Sequence, residues 1–600
     1  MTDTTQTLPR WDMTVVYPGI DSPEFADGFE KVKASIDDLG ALFDRHGIEK
    51  QEPRAIDNGT VAIFEQALER YNAVIEAQGT MSAYIQSFIA TDSRDNLAQA
   101  KASELQRHSV RLWQLGTRFM AWIGSLNVEA LIEQSEAAHE HAFTLRQDVI
   151  RASHMMSPPE EALAAELNVT GGSAWSKLHN NVTSQLSVPV EIDGKTEVRP
   201  MSIIRAMANE EDRDLRQRAY ITELEGWKGA ALPLAAALNS IKGEVNTLAK
   251  QRGWNSALDV AIFDSNIDRQ TLDAMMQSAR EAFPDFRRYL RAKARALGLQ
   301  KLAWFDIFAP VGQSNKVWAY NEATDFIIQQ FGTYSRKMSD FAARAFRENW
   351  IDAESRPGKR DGAFCMSLRE DQSRVMVNYT PAYGGMSTLA HELGHGYHNM
   401  VRADRTALQR ATPMTLAETA SIFCETIVRE AALKDADSAE QLFILEASLQ
   451  ESCQIVVDIS SRFLFESRLF EARLHRELSI EELNTIMLEA QKETYGDGLD
   501  EGAMHPYMWA VKGHYYRTAL SFYNFPYMFG LLFGLGLYAL YQKDAEGFKT
   551  GYDELLASTG MADAATLAAR FGIDIRTPDF WRSSLDIIRA DIDRFEKLVG

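Results

Sequence analysis

Residues 387–400 read STLAHELGHGYHNM. On a helix, His391 and His395 stand one turn apart on one face, with Glu392 beside them. Two neutral imidazoles at that spacing reach one tetrahedral ion at about 2.0–2.1 Å, and the adjacent carboxylate is offset enough to take a proton from water without ligating. The implied chemistry is metal-assisted hydrolysis. Such a site needs a third protein ligand and one open position. The pattern HExxHxxGxxH is excluded, because His398 stands where its glycine should be and Val401 where its third histidine should be. A carboxylate on a following helix is then expected, and ATPMTLAETASIFCETIVREAAL supplies one. Pro413 suits the first helical position and makes Thr412 the N-cap, which puts Glu418 in the second turn and Glu425 two turns further along the same face. Glu418 is the expected third ligand, although Thr415-x-x-Glu418 also fits a capping box. Glu425 is expected to accept a hydrogen bond from a ligand histidine and is the alternative ligand.

Local elements must hold these groups. Ser387 and Thr388 offer caps for the histidine helix, and Leu389, Leu393 and Tyr397 an apolar flank. Just before it, in RVMVNYTPAYGG, Val375, Val377 and Tyr379 alternate as a short strand would. If that strand is an edge, it can pair with an extended peptide through main-chain hydrogen bonds, which makes Val377 and Tyr379 candidate substrate-binding residues. The alternative is a strand fully paired within the protein. The N-terminal part reads as amphipathic helices such as FADGFEKVKASIDDLGALFDRH, with apolar residues at intervals of three and four. In SVPVEIDGKTEVRP, Asp193-Gly194 is a two-residue hairpin signal, and a lobe boundary is placed at Leu186. The reading is mostly α with a little β. Residues 525–541 are apolar throughout, at the lower length limit for a bilayer span, and carry Gly530-x-x-x-Gly534. Pro526, the tyrosines and the lack of a flanking positive cluster favour a helix buried in protein.

The 600 residues are 45% hydrophobic and 24% charged, an ordinary globular composition. With 63 Lys+Arg against 84 Asp+Glu, the net charge of -21 opposes binding to nucleic acid or to an anionic membrane surface. Cys365, Cys424 and Cys453 are too few for a disulfide framework and point to a reducing compartment. The first residues lack a basic stretch followed by an apolar run, so a cytoplasmic location is expected.

HELGHGYH with the later LAETASIFCE, the preceding GAFC and VMVNY, and the opening RWDMTVVYP together resemble the oligoendopeptidase F family, within the thimet-oligopeptidase clan of zinc peptidases. The resemblance spans essentially the whole chain. It implies a mostly α, two-lobed helical shell around a deep substrate channel, with a small β element beside the zinc helix in the gluzincin manner. It also implies one Zn2+ per chain and cleavage of internal bonds in short unstructured peptides. An N-terminal helical lobe at residues 1–186 and a peptidase domain at 187–600 follow from it. GHYYRTALSFYNFPYMFG resembles the family's aromatic tract, with His514, Tyr523 and Tyr527 as candidate oxyanion donors, while Phe525 stands where a tyrosine is common. Gly384-Gly385-Met386 replaces an acidic and an aliphatic residue that many relatives carry. Glu392 would act as general base and return the proton to the leaving amine. The competing expectations are an exopeptidase that trims termini and a helical peptide-binding protein without catalysis.

Overall fold

The computed structural model describes residues 7–600 apart from residues 54, 193 and 315. About 71% of the chain is helical and strands are few. The chain folds into two compact units, each assembled from three separated segments.

The first unit comprises Met1–His154, Lys316–Ala432 and Leu540–Gly572. Its N-terminal helix, Pro23–His46, starts where Ser22 Oγ accepts the Phe25 N–H at 3.1 Å and ends at Gly47, whose φ of 59° only glycine adopts readily. Phe25, Phe29, Val32, Ile36, Leu39 and Phe43 line one face of it, as the three-and-four spacing predicts. They meet Phe64, Leu68 and Tyr84 from helix Asn58–Thr91, and Leu112, Leu115 and Phe119 from helix Asn96–Ile123. Each such burial stabilises by about 1.5–3 kcal/mol before ordering entropy is subtracted.

Against this bundle lies a three-stranded sheet. With β1 (Ser187–Ile192) and β2 (Lys195–Pro200) forming a hairpin in the other unit, the sheet strands are β3 (Ile351–Asp352), β4 (Phe364–Arg369) and β5 (Gln372–Met376). The order is β3-β5-β4, with β5 parallel to β3 and antiparallel to β4. The loop into β4 is pinned by Lys359, whose buried Nζ donates to the carbonyls of Asp352, Glu354 and Val377 at 3.0, 3.0 and 2.7 Å and pairs with Asp352 Oδ1 at 2.7 Å. Removing one partner of such a pair costs about 3–5 kcal/mol. The histidine helix, Tyr383–Val401, packs on β4 and β5.

The second unit comprises Met155–Asn315, Leu433–Ala539 and Ile573–Gly600. Its core joins Trp227, Leu234, Leu238 and Ile241 of helix Arg213–Gln251 to Phe465, Leu469, Trp509, Tyr515 and Tyr516. The hairpin predicted at Asp193-Gly194 forms: β1 pairs antiparallel with β2 and Gly194 has φ 72°, while Asp193 itself lies outside the described residues. The apolar stretch forms helix Phe525–Lys543, and among the described residues no helix is long and apolar enough to cross a membrane. Within this helix Gly536 allows a close approach, since a Cβ there would meet the Phe580 ring at 2.4 Å.

Candidate metal centre

Three side chains of the first unit converge on one point. His391 Nε2 lies 3.2 Å and His395 Nε2 3.4 Å from the same oxygen, Glu418 Oε2. Ligands of a tetrahedral zinc, at about 2.0–2.1 Å from the ion, are themselves about 3.3–3.4 Å apart. The observed separations therefore match a shared ion, and one donor atom from each of the three residues lies within 4.8 Å of the others. Their side chains keep 24%, 23% and 22% of their surface accessible, enough for a reactant to arrive at a fourth position. Two imidazoles and a carboxylate gathered this closely offer electron-pair donors of a type that fits a borderline-soft dication.

The helical elements differ in detail from the sequence reading. The histidine helix starts at Tyr383, with Ala382 at the N-cap, so Ser387 and Thr388 lie inside it and cap nothing. Ser387 Oγ instead donates to Glu425 Oε1 at 2.9 Å, and Glu425 Oε2 accepts the His391 Nδ1–H at 3.0 Å. That fixes the imidazole with Nε2 turned to the cluster, the role expected of Glu425. Glu418 does not sit in the second turn of one continuous helix from Pro413. Pro413 is itself the N-cap of a four-residue turn, Met414–Ala417, and Glu418 is its C-cap at φ -89°, ψ 1°, before helix Thr419–Asp435 begins. Thr412 is not a cap; its hydroxyl bonds Thr559 Oγ1 at 3.0 Å. Released from the helical register, Glu418 turns its carboxylate to both histidines, and Ser421 Oγ steadies it with a 2.7 Å bond. The capping-box role with Thr415 is not taken.

Gly394, unassigned in the sequence reading, makes this approach possible. A Cβ there would lie 2.6 Å from Ser421 Cα and 2.8 Å from Ala420 O, so any side chain would push the start of the glutamate helix away. A glycine in mid-helix costs about 1 kcal/mol against alanine, and that penalty is the signal that could have flagged it. Gly385 is similar: its Cβ would meet Thr380 O at 2.1 Å, so the backbone approach there requires glycine.

The electrostatics follow from burial and these pairings. Burial raises the Glu392 carboxyl above its usual range, opposed by the imidazoles of His391 and His395. Burial works against a charged His391, yet Glu418 and Glu425 outweigh it and raise the imidazole well above its ordinary value. Burial would likewise lift Glu418, but the hydrogen bonds from both histidines hold it below the carboxylate range. Such a negative cradle favours a cation. Glu392 is 7% exposed and lines, with Phe364, Cys365, Asn399 and Arg402, a cleft of about 340 Å³ that includes the three converging side chains.

Val377 and Tyr379 do not offer a free edge. β5 is the central strand; the Val377 and Tyr379 N–H groups donate to Asp352 and Ala353 carbonyls at 3.0 Å each, and the Val377 carbonyl accepts from Lys359. Their alternation reflects burial within the sheet, at 2% and 6% exposure. β4 is the outer strand, and its first residues line the cleft.

His514, Tyr523 and Tyr527 belong to the second unit, where they form a group of their own. The phenols of Tyr523 and Tyr527 share a hydrogen bond, and the His514 and Tyr523 rings lie 5.7 Å apart. Burial, followed by the charges of Arg462, Lys512, Lys242 and Arg517, drives the His514 imidazole down to about 2, so it is neutral at ordinary pH. Phe522, at φ 54°, precedes Tyr523; its N–H donates at 3.1 Å to Glu466, which is paired with buried Lys242 at 2.7 Å. A non-glycine residue at positive φ is strained, and the buried ion pair holds it. Neither Lys242 nor Glu466 had a sequence signature. Phe525, which lacks the tyrosine hydroxyl, is buried edge-on against Phe463.

Comparison with known proteins places these observations. The chain is 22% identical to an oligoendopeptidase F homolog of Lactococcus lactis subsp. lactis, over 98% of this chain and 97% of the relative. It is 20% identical to an oligopeptidase PepF of Bacillus subtilis, over 89% and 81% of the two chains. Its fold matches a solved chain from Chlamydophila abortus with TM-score 0.84 at 20% identity, covering 98% of each. The oligoendopeptidase-F structure from Enterococcus faecium matches with TM-score 0.69 at 17% identity, covering 96% of this chain and 99% of that one. An Oligopeptidase F sequence model matches residues 123–187. The Peptidase family M3 model runs from residue 206 to 587 and takes in both histidines and both glutamates of the cradle, so this chain belongs to peptidase family M3.

Proposed function

We propose that the protein is a zinc-dependent oligoendopeptidase that hydrolyses internal bonds of short unstructured peptides. The observation that carries this reading is the convergence of His391 and His395 on one Glu418 oxygen, with Glu392 at the same cleft. His391, His395 and Glu418 would hold one Zn2+. When bound, the ion would lower the pKa of a water toward about 7 and polarise the scissile carbonyl. Glu392 takes the proton of the attacking water on its carboxylate and returns it to the leaving amine; its raised proton affinity suits a group that must do both. Glu425 and Ser387 hold His391 in the tautomer that leaves Nε2 a ligand. By the resemblance to the family's aromatic tract, His514, Tyr523 and Tyr527 are the candidate N–H and O–H donors to a developing oxyanion, a role with which the neutrality of His514 agrees. An extended peptide lies along the outer edge of β4, held by main-chain hydrogen bonds, which makes the enzyme tolerant of side-chain identity.

In this reading residues 1–186 are an N-terminal helical segment and residues 187–600 carry the peptidase chemistry. The names of the relatives, oligoendopeptidase F among them, support internal cleavage. The free cysteines Cys365, Cys424 and Cys453 support a cytoplasmic location, and the net charge of -21 speaks against nucleic acid as a partner. The deciding experiment is mass-spectrometric mapping of products from a mixture of short peptides and one folded protein, with and without chelator. Internal cleavage of the peptides alone, lost on chelation and restored by zinc, is expected. Terminal trimming would replace this reading with an exopeptidase, and no metal-dependent cleavage would leave a peptide-binding protein.

A further inference from the structure

Arg402 directly follows the histidine helix and lines the same cleft as His391, Glu392, His395 and Glu418. Among the described residues it is the only permanently cationic side chain lining that cleft, and no carboxylate among them pairs with it. Its contacts are all to neutral groups. Nη1 donates to Arg410 O at 2.8 Å and to the Thr412 hydroxyl, and Nη2 donates to Asn399 Oδ1 at 2.6 Å. A guanidinium has five N–H donors, so Nε–H, which has no partner, and one Nη2–H remain uncommitted. Neighbouring Nε and Nη2 donors form the edge that grips a carboxylate in bidentate fashion. A half-buried cation answered only by neutral acceptors is costly until an anion joins it, and burial already lowers this guanidinium to about 10.

The position is as informative as the charge. Arg402 follows His395 by seven residues, two helical turns, which puts it on the same face about 10 Å further along the axis. Asn399, between them on that face, is held by its own bond to Ser373 Oγ at 3.0 Å and so presents its oxygen to Arg402 in a fixed place. An extended peptide advances about 3.3 Å per residue, so 10 Å is about three residues. We propose that Arg402 is a substrate-binding residue that receives a carboxylate of the peptide about three residues from the cleaved bond. The Nε–H is buried as the side chain stands, so gripping a carboxylate by this edge requires the guanidinium to turn and exchange bonds now made to Arg410, Thr412 and Asn399. The carboxylate is either the C-terminus or an Asp or Glu side chain. The proposal rests on the peptidase reading and adds a substrate preference to it.

The test uses one peptide sequence of constant length with a single glutamate moved along it, each version made as the free acid and as the C-terminal amide. With the zinc-loaded wild-type enzyme, a carboxylate at the matching distance is expected to lower KM about tenfold against its neutral counterpart. Acid and amide series separate the two carboxylate sources. Arg402→Gln is expected to erase most of that ratio through KM, and Arg402→Lys to keep part of it. A wild-type enzyme indifferent to carboxylates would overturn the proposal. So would an Arg402→Gln loss equal for acidic and neutral peptides, the mark of a residue that only braces the 410–412 turn. Fluorescence anisotropy of the same peptides on Glu392→Gln protein reads the preference as binding. A peptidase reading that fails on turnover and a carboxylate preference that fails on binding are thereby distinguished.

Discussion

Around His391 the nearest charges are carboxylates, Glu418 and Glu425, whereas around His514 they are cations, Arg462, Lys512, Lys242 and Arg517. Both imidazoles are deeply placed, and burial alone would push both toward neutrality. The carboxylates reverse that tendency at His391, and the cations reinforce it at His514. The first setting attracts a positive charge to Nε2, which is what a ligand to a dication requires. The second keeps an imidazole neutral over the whole working range, so that it can donate a hydrogen bond without bringing a competing charge. The difference teaches that the same residue type is assigned its task by the sign of its neighbours, not by depth.

The sharpest way to break the comparison is at the negative cradle. Replacing Glu392 by Gln removes the proton carrier but no ligand, so turnover should fall by about 10²–10⁴ while zinc content measured by atomic absorption stays at one per chain. Substantial residual turnover would end the assignment of Glu392 as base. In the second setting, His514→Phe should lower kcat by about 10²–10³, with little change in KM, if the neutral imidazole donates to the oxyanion. A change confined to KM would assign it to ground-state binding instead. Glu425→Gln keeps the shape but weakens the acceptor behind His391, and a loss of about 10–100-fold in zinc affinity, read by competition with a chromophoric chelator, is expected. An unchanged affinity would mean that the bond to Nδ1 does not orient the ligand.

The smallest effect concerns acid. Because the His514 imidazole binds its proton more weakly folded than unfolded, the unfolded chain takes up a proton below about pH 6.5 that the folded chain refuses. Its contribution is therefore absent above pH 6.5 and becomes destabilising as pH falls toward the folded value of about 2. Thermal scans of His514→Phe between pH 6.5 and 5 should show a Tm drop smaller by about 1–2 °C than that of the wild type. Parallel drops would show that this imidazole titrates as freely in the folded protein as outside it.

What could be read from the linear chain follows the range of the interactions. His391, Glu392 and His395 were legible because a helical period of 3.6 fixes their mutual placement whatever else surrounds them. Glu418 was legible as a type and not as a geometry. The break at Glu418 is held by contacts that no local pattern announces, among them the Tyr552 hydroxyl donating to Thr419 O at 3.2 Å across 133 residues. For Val377 and Tyr379 the sequence left a free edge and a fully paired strand both open, because alternation reports burial and not which edge of a strand is free; strand order depends on β3, which contributes only Ile351 and Asp352. The mostly helical architecture was clear from apolar spacing, but the division into two units built from alternating segments was not, since contacts such as Lys242 with Glu466 span 224 residues.

That interleaving bears on how the protein is made. The three converging side chains have all been synthesised by residue 418, but the unit that holds them also needs Leu540–Gly572, which brings Tyr552 to the backbone beside Glu418 and Thr559 to His398 and Thr412. At about 5–20 residues per second, a ribosome takes roughly 8–30 s to cover the stretch from Glu418 to Gly572. Throughout that interval the nascent chain carries the three side chains of the proposed zinc site without the scaffold that spaces them. On the proposed reading, ion loading is thus a late event in biosynthesis, since a chain ending before residue 540 would carry His391, His395 and Glu418 without the contacts that Tyr552 and Thr559 supply.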